Sequence, residues 1–290
     1  MARALVTGGA GFLGSHIADA LSERGFAVSV FDRSESEHLR SGQRMVTGDL
    51  LDAEALSAAA AGCDCLFHLA ALSDLEEASS DPVAATRHNV LGTVQALEAA
   101  RRAGVKRFLF ASTVYVYSRA GGFYRCSKQA GEAYVEEYGR QFDVGYTILR
   151  YGSLYGPRAT EANGVYRLLR QALEGGSIRH IGHPDDSREY VHVEDAALLS
   201  VDALGEEFEN QRLVITGHYP MRLRDLFTMF SEILGRQIEV DYEEPAEGLA
   251  DTHYRVTPYA FSPRVGRKLT ANSYVDMGQG ILQMLEEMQG

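Results

Sequence analysis

Short apolar runs alternate with amphipathic stretches along the first half of the chain. Continuous short runs predict strands, and apolar residues that recur every three or four positions predict helices. The predicted strands are 4–6, 27–31, 44–46, 65–69, 107–111 and 145–149, and the predicted helices are 14–24, 54–61, 82–103 and 124–142. This alternation predicts an α/β fold in which a doubly wound parallel sheet, a Rossmann fold, is covered by helices on both faces.

The pattern becomes less regular after residue 150. Turns rich in Gly, Pro and Asp interrupt it at 155–158 and 182–186, and helices are predicted at 165–174, 193–204 and 223–234. We therefore predict two domains, with the sheet in 1–150 and a smaller, mixed C-terminal lobe in 151–290. We expect the chain to cross back to the sheet within 184–217.

A glycine-rich segment follows the first predicted strand. Gly8, Gly11 and Gly14 have GxxGxxG spacing and lead into a helix. Glycine permits a tight turn and a close approach of pyrophosphate to the backbone, and the helix N-terminus supplies free N–H groups. The strand before and the helix after favour a dinucleotide site over a simple tight turn. We expect Phe12 and Leu13, within this segment, to contact the cofactor.

Acidic residues follow the second and third predicted strands. A carboxylate at Asp32 can accept both ribose hydroxyls and repel a 2′-phosphate, which predicts NAD rather than NADP. Arg33 is a contrary signal because it could pair with that phosphate, and we predict it as a cofactor contact. Asp49, with Leu50 beside it, is predicted to contact the adenine end. A solvated Asp32 and a turn-forming Asp49 are the alternative interpretations.

Tyr124 and Lys128 are four residues apart, and therefore lie on one face of a predicted helix. A free phenol has a pKa of about 10, but a nearby ammonium and a positive nicotinamide ring favour the phenolate. Tyr124 can then act as a base during oxidation of a hydroxyl and as an acid during reduction of a ketone. Lys128 can also hold the nicotinamide ribose. Thr113 ends the preceding strand and can bind the reacting oxygen, with Ser112 as the alternative donor.

Several segments together resemble the extended short-chain dehydrogenases/reductases, in the branch of NAD-dependent nucleotide-sugar epimerases and dehydratases. They run from residue 7 to 197 in the order of that family. The matching segments are TGGAGFLGSH from Thr7, GDL from Gly48, HLAA from His68, HNVLGT from His88, STVYVYS from Ser112, YRCSK from Tyr124, LRYGSLYGPR from Leu149 and REYVHVEDAA from Arg188.

The resemblance implies a NAD-binding domain in 1–150 and a substrate-binding lobe in 151–290. It implies that Asn89 supports the nicotinamide site and that Arg188 contacts a substrate diphosphate. It also implies a homodimer through the helices that hold Asn89 and Tyr124. The remaining expected contacts are Leu69, Ala70, Ala71 and Tyr151 with the cofactor, and Ser112, Thr113 and Ser153 with a nucleotide-diphosphate sugar.

Departures from the family pattern narrow the expected reaction. Family dehydratases resemble Thr-Asp-Glu-Val-Tyr-Gly at the end of this strand, whereas Val114 and Tyr115 replace the acid pair here. The resemblance then implies epimerisation at C4 through a transient 4-keto sugar. A dehydrogenase or ketoreductase with net NADH turnover is the alternative. A non-enzymatic dinucleotide sensor is opposed by the presence of Thr113, Tyr124 and Lys128.

Three further departures concern the substrate. The segment between Ser118 and Tyr124 is shortened, and Gly152 and Ser153 replace the Phe-Asn of the family. No Arg-x-Gly-Asp segment is recognisable near the C-terminus, where the basic run 263–268 is either a replacement phosphate contact or a solvated face.

Composition limits the possible partners and the location. A net charge of −12 disfavours nucleic acid and anionic membrane surfaces. Three cysteines without metal or disulfide spacing predict free thiols in a reducing compartment and no metal site. The chain enters a strand at once and carries no apolar run of about 18 residues, so we expect a cytoplasmic protein.

Overall fold

The structure is a computed structural model that describes residues 1–243 and 253–258. The strands are β1 (Arg3–Thr7), β2 (Ala27–Asp32), β3 (Arg44–Thr47), β4 (Cys65–His68), β5 (Arg107–Thr113), β6 (Gly145–Tyr151), β7 (Ser153–Tyr155), β8 (Ser177–Ile181), β9 (Ser187–His192), β10 (Gln211–Ile215), β11 (Pro220–Arg222) and β12 (Glu239–Glu243). The helices are α1 (Phe12–Glu23), α2 (Ala53–Ala60), α3 (Leu75–Ser80), α4 (Pro82–Thr86), α5 (Gly92–Ala103), α6 (Gly122–Phe142), α7 (Gly164–Gly175), α8 (Val193–Asp202) and α9 (Leu223–Leu234). Within this part of the chain, no helix combines the length and the apolar character needed to cross a bilayer.

Seven strands form the large sheet, in the order β10-β6-β5-β4-β1-β2-β3. Every neighbouring pair in this sheet is parallel. The chain therefore builds outward from β1 on one side and returns to build outward from β4 on the other. In open sheets of this kind, ligands bind beyond the carboxyl ends of the strands at that reversal. The predicted doubly wound parallel sheet is confirmed.

The large sheet is buried on both faces. Ala4 and Val6 of β1 pack into one hydrophobic cluster with α1 and α8, whereas Leu5 packs into a second cluster with α2 and α5. Successive side chains of a strand point to opposite faces, so both faces need apolar residues. This requirement explains the continuous apolar runs in the strands of the first half.

Two smaller sheets lie in the second half of the chain. One has the order β11-β9-β7, with an antiparallel and a parallel pair, and the other pairs β12 with β8. A separate hydrophobic cluster fills this lobe and includes Phe227 and Phe230 of α9 and Ile178 of β8. The smaller mixed lobe is thus present. Strand β10 joins the edge of the large sheet beside β6, and the domain boundary at residue 150 stays a prediction.

The predicted helix over 82–103 is interrupted. The chain forms α4, then one π-helical turn over Arg87–Leu91, and then α5. A π turn adds one residue to a helical turn and is frequent at functional sites. The prediction of one continuous helix over 82–103 missed this turn. This turn carries Asn89.

Leu97 of α5 is fully buried in the second cluster, whereas Leu198 of α8 is exposed. We expect Leu97→Ala to lower the free energy of unfolding by about 2–5 kcal/mol, because it removes buried methyl groups and leaves a cavity. The matched change Leu198→Ala should cost less than about 0.5 kcal/mol. Urea unfolding measures both values, and equal losses would contradict the placement of α5.

Candidate active site

The glycine-rich segment forms a close turn between β1 and α1. Gly8 has φ of +73°, and a Cβ on Gly8 would lie 2.6 Å from the Ala70 nitrogen. A Cβ on Gly14 would lie 2.1 Å from the Gly8 carbonyl oxygen. The Gly11 N–H donates to that same oxygen at 3.1 Å. Only glycine fits at Gly8 and Gly14, because backbone occupies the space that a side chain would need.

The N-terminus of α1 is open to an anion. Gly11 is its N-cap, and no side chain among the described residues caps the first turn. Unpaired N–H groups and the helix dipole at such an end favour a phosphate. Phe12 begins the helix and meets the His16 ring edge-on, while Leu13 packs against the hydrophobic cluster beneath. Leu13 therefore supports the turn from below.

Asp32 ends β2 beside the glycine turn. One oxygen of its carboxylate accepts the Ala10 N–H at 3.1 Å, and the other accepts the Ser34 N–H at 3.4 Å. The side chain is only half-buried, so it retains acceptor capacity for ribose hydroxyls. Arg33 is exposed next to it. The structure thus brings Asp32 to the adenosine side of the predicted site.

Asp49 stabilises the turn that follows β3. Its side chain accepts the Leu51 N–H at 2.8 Å, and its carbonyl accepts the Asp52 N–H at 2.9 Å. This is the turn-forming interpretation, although the exposed carboxylate keeps a second oxygen for a ligand. Leu50 is buried and packs against Gly92, so its side chain supports α5.

A buried chain of hydrogen bonds starts at Thr7, next to the glycine turn. The Thr7 hydroxyl lies 2.8 Å from His68 Nδ1, and His68 Nε2 lies 3.1 Å from the Thr93 hydroxyl. The Thr93 hydroxyl donates its single proton to the Asn89 carbonyl at 2.6 Å. His68 Nε2 must therefore be the donor to Thr93, and Nδ1 accepts from Thr7. Burial lowers the pKa of His68 to about 3, so the ring is neutral.

The chain continues through Asn89 to the catalytic helix. Asn89 Nδ2 donates to the Ser127 hydroxyl at 2.9 Å, and Ser127 donates to the Tyr124 carbonyl at 2.8 Å. Asn89 also accepts the Leu72 N–H at 2.7 Å and donates to the Leu72 carbonyl at 2.9 Å. The buried amide of Asn89 thus ties α6 to the segment that follows β4. Leu69, Ala70 and Ala71 lie at the start of that segment.

Lys128 and Tyr124 lie on the face of α6 that packs on β5. Lys128 Nζ donates to the Ala111 carbonyl at 2.8 Å and lies 5.8 Å from the centre of the Tyr124 ring. Burial raises the pKa of Tyr124 above its ordinary value and lowers that of Lys128 to about 8, the latter opposed by Glu132. Thr113 ends β5 and caps the following turn by accepting the Tyr115 N–H at 3.3 Å.

Two predicted site residues are engaged elsewhere. The Ser112 hydroxyl donates to Glu132 at 2.5 Å. The Tyr151 hydroxyl lies 2.6 Å from Ser200, which donates its own proton to Ala196, so Tyr151 donates to Ser200 inside the core. The structure therefore favours Thr113 over Ser112 as the donor to a substrate, and it turns the Tyr151 side chain away toward α8.

The predicted substrate contacts Arg188 and Ser153 both lie next to Tyr254. The Arg188 guanidinium lies 5.1 Å from the centre of the Tyr254 ring, and the Tyr254 hydroxyl lies 3.3 Å from the Ser153 hydroxyl. Tyr254 packs against Tyr115, whose hydroxyl lies 2.7 Å from His253 Nδ1. Within 1–243 and 253–258, Arg188 has no carboxylate in ion-pair contact, and the groups beside its guanidinium are tyrosine side chains. The basic run 263–268 lies outside the described residues.

A cavity of about 240 Å³ lies between the glycine turn and β7. Its lining includes Phe12, Ser73, Leu154 and Asn163. The cavity therefore connects the first turn of α1 with the part of the chain that carries Ser153.

Comparison with known proteins agrees with this geometry. Residues 4–215 match the family described as "NAD dependent epimerase/dehydratase family". A UDP-glucose 4-epimerase of Mycolicibacterium smegmatis is 30% identical over 85% of this chain and 87% of its own. A dTDP-glucose 4,6-dehydratase of Mycobacterium tuberculosis is 31% identical over 67% of this chain and 66% of its own. The crystal structure of a Thermus thermophilus UDP-glucose 4-epimerase in complex with NAD has a TM-score of 0.77 and 30% identity over 90% of both chains.

The fold, the glycine turn and the Tyr124–Lys128 pair define an enzyme of the extended short-chain dehydrogenase/reductase class. The chain belongs to the NAD-dependent epimerase/dehydratase family. NAD is its cofactor, and the residues present fit NAD. The glycine backbone leaves room for a pyrophosphate, the first turn of α1 offers donors to it, and the half-buried Asp32 carboxylate beside this turn could accept ribose hydroxyls.

Gly14→Ala tests the glycine turn. The added methyl group would overlap the Gly8 carbonyl, so the turn must open and the NAD affinity should fall by about tenfold or more. Gly164→Ala is the matched control, because a Cβ there meets no atom within 4 Å. Isothermal titration with NAD measures both. Wild-type affinity in Gly14→Ala would refute this turn as the pyrophosphate site.

Proposed function

We propose that the protein epimerises a nucleotide-diphosphate sugar at C4 through a transient 4-keto sugar. The observation that supports this proposal is Lys128, which binds the Ala111 carbonyl of β5 and lies 5.8 Å from the centre of the Tyr124 ring, near a strand end that carries Thr113 and no acid pair. UDP-sugars are the first candidates, because the epimerase relative and the epimerase structure are both named for UDP-glucose.

In this proposal, NAD would supply, when bound, a hydride acceptor for C4 of the sugar and the source of the hydride that returns to the opposite face. The Tyr124 phenolate takes the proton of the C4 hydroxyl as the hydride leaves and gives it back as the ketone is reduced. Thr113 donates a hydrogen bond to the C4 oxygen. Arg188 holds the diphosphate while the keto sugar turns over. No proton or electron is gained or lost over the cycle.

The ionisation of Tyr124 depends on its surroundings. Burial raises the pKa of the Tyr124 phenol, so without ligands it is protonated at neutral pH. Lys128 and the positive nicotinamide ring would both favour the phenolate once the cofactor is bound. The Tyr124 phenolate, which is the base, would then form only when NAD is bound.

Water loss is a poorer match to these residues. Val114 is fully buried in a small hydrophobic cluster, so it offers no proton to a leaving hydroxyl. Tyr115 replaces the second acid of the dehydratase pair, and its hydroxyl is engaged by His253 Nδ1 at 2.7 Å. These two contacts support epimerisation over 4,6-dehydration.

A net dehydrogenase or ketoreductase is the second candidate. It would use the same Thr113, Tyr124 and Lys128, because all three act on the hydroxyl that becomes a ketone. The two candidates differ in whether the keto sugar leaves before the hydride returns. The consumption of NAD therefore separates them.

We further propose a homodimer through α4, the π turn, α5 and α6. Large apolar side chains are exposed on three of these elements: Val83 of α4, Leu91 of the π turn, and Phe123, Tyr134 and Phe142 of α6. A contiguous exposed apolar surface is typical of a protein–protein interface. The dimer would bury the outer side of the helix that carries Tyr124.

A panel of UDP-, GDP- and CDP-sugars incubated with a trace of NAD tests the proposed reaction. We expect a product of unchanged mass, separable by chromatography, in excess over the NAD supplied. Tyr124→Phe should lower kcat by about 10²–10⁴-fold, because it removes the proton acceptor. A product two mass units lighter and limited by NAD would identify a dehydrogenase. A loss of eighteen mass units would refute the argument from Val114 and Tyr115.

Light scattering tests the dimer. The wild-type protein should have twice the mass of one chain, and Leu91→Arg should shift it toward the monomer by placing a charge in the interface. Ile233→Arg, an equally drastic change at an exposed residue of α9, should leave the mass unchanged. A monomeric wild type would contradict the proposed interface.

A further inference from the structure

Glu132 extends the face of α6 that carries the catalytic pair. Tyr124, Lys128 and Glu132 are spaced by four residues, so they follow one another along one side of the helix. Glu132 is 7% exposed and Lys128 is 3% exposed. A buried carboxylate is costly unless it is paired and hydrogen-bonded, so its partners indicate what it holds.

Glu132 contacts two neighbouring strands at once. One carboxylate oxygen accepts from the Ser112 hydroxyl at 2.5 Å and from Arg150 Nε at 2.9 Å. The other accepts from Arg150 Nη2 at 2.6 Å. Arg150 Nη1 in turn donates to the Tyr117 hydroxyl at 2.6 Å. The bidentate pair fixes the direction of the carboxylate as well as its distance.

The partners of Glu132 lie next to the reacting groups. Ser112 and Arg150 are paired in register across β5 and β6. Ser112 directly precedes Thr113, and the residue before it, Ala111, supplies the carbonyl that accepts from Lys128. Consecutive residues of β5 therefore hold Lys128, hold Glu132 and present the Thr113 hydroxyl.

We propose that Glu132 is a positioning residue that clamps α6 to the ends of β5 and β6, and thereby fixes Lys128 and Tyr124 relative to Thr113. This inference rests on the proposed function for its effect on turnover, but not for its effect on NAD binding. Without the clamp, the helix can shift against β5 while the fold remains intact. Shifts of about 1 Å in catalytic geometry can cost about 10²-fold in rate.

The negative charge of Glu132 also affects the pKa of Lys128. The groups that face Lys128 are Tyr124 and Glu132 from its own helix and His68 from β4, with Arg150 behind Glu132. His68 is neutral, and burial of Lys128 lowers its pKa to about 8 while Glu132 raises it. Loss of the Glu132 charge therefore lowers the pKa of Lys128, so the ammonium is lost at a lower pH.

Three variants separate positioning from stability. Glu132→Gln leaves the Arg150 charge buried without its partner, so the melting temperature should fall. Glu132→Leu combined with Arg150→Met replaces the pair by apolar groups, so the melting temperature should recover. Ser112→Ala removes only the hydrogen bond from β5 and keeps the ion pair. The matched control is Glu137→Gln, which breaks an exposed ion pair with Arg140 on the same helix.

For the clamp, we expect the double variant to keep a low kcat, about 10-fold to 100-fold below wild type, and a substrate KM within about twofold of the wild-type value. Its NAD affinity should be about tenfold weaker, because Lys128 no longer meets the nicotinamide ribose. Glu132→Gln should move the alkaline limb of kcat to lower pH, and Ser112→Ala should lower kcat without moving that limb. Glu137→Gln should have the wild-type kcat, KM, NAD affinity and pH dependence of kcat.

Recovery of kcat and NAD affinity together with the melting temperature in the double variant would overturn the clamp, because Glu132 would then serve stability alone. Wild-type kcat and NAD affinity in Ser112→Ala would show that the hydrogen bond from Ser112 of β5 to Glu132 has no part in the clamp. If the wild-type protein converts none of the sugars, the proposed function fails. The NAD affinities of the same variants, measured by isothermal titration, still decide the clamp.

Discussion

The buried chain of hydrogen bonds from Thr7 to Tyr124 is the interaction on which the site depends. It passes through His68, Thr93, Asn89 and Ser127, and each donor in it has an acceptor. A buried polar network of this kind rigidifies a structure when every member is satisfied, and it is costly when one member is lost. The chain joins the glycine turn, the end of β4, the π turn and the catalytic helix. The glycine turn and the helix that carries the proposed acid–base group, Tyr124, are therefore held together.

The fold brings these elements together because parallel strands end at a common edge. Thr7, His68, Thr113 and Tyr151 are the last residues of β1, β4, β5 and β6. Helix α6 connects β5 to β6 and packs on both, with Lys128 bound to β5 and Glu132 bound to β5 and β6. The smaller lobe brings Arg188 and Ser153 toward the same region through β9 and β7. The groups that we propose for proton transfer and for anion binding thus come from different parts of one scaffold.

The sequence predicted the parts of the molecule that are local. The large sheet, its main helices and the strand–glycine–helix turn follow from apolar spacing and glycine placement, because both faces of the sheet must be buried. The strands β7 to β12 escaped prediction because they are only partly apolar. The π turn at Asn89 escaped because it depends on the backbone hydrogen bonds of the folded helix. The family resemblance supplied Asn89 and Arg188, which no local pattern identifies.

Side-chain partners were the least predictable feature. Ser112 and Tyr151 stand at the expected strand ends, yet their hydroxyls are bound by Glu132 and Ser200, contacts that only the packed fold defines. Glu132 itself was missed, although its spacing of four residues from Lys128 was a usable signal. Arg150 and Tyr117 complete that contact from separate elements.

The fate of the hydrogen on C4 shows whether the hydride leaves and returns within one site. A substrate carrying deuterium at C4 would be incubated with the protein and a trace of unlabelled NAD, and the epimer would be analysed by mass spectrometry and NMR. The account predicts that the epimer retains the deuterium at C4, apart from at most one hydrogen per NAD, with no exchange from water. Loss of the deuterium to solvent, or its accumulation on reduced cofactor, would contradict a hydride that leaves and returns within one site.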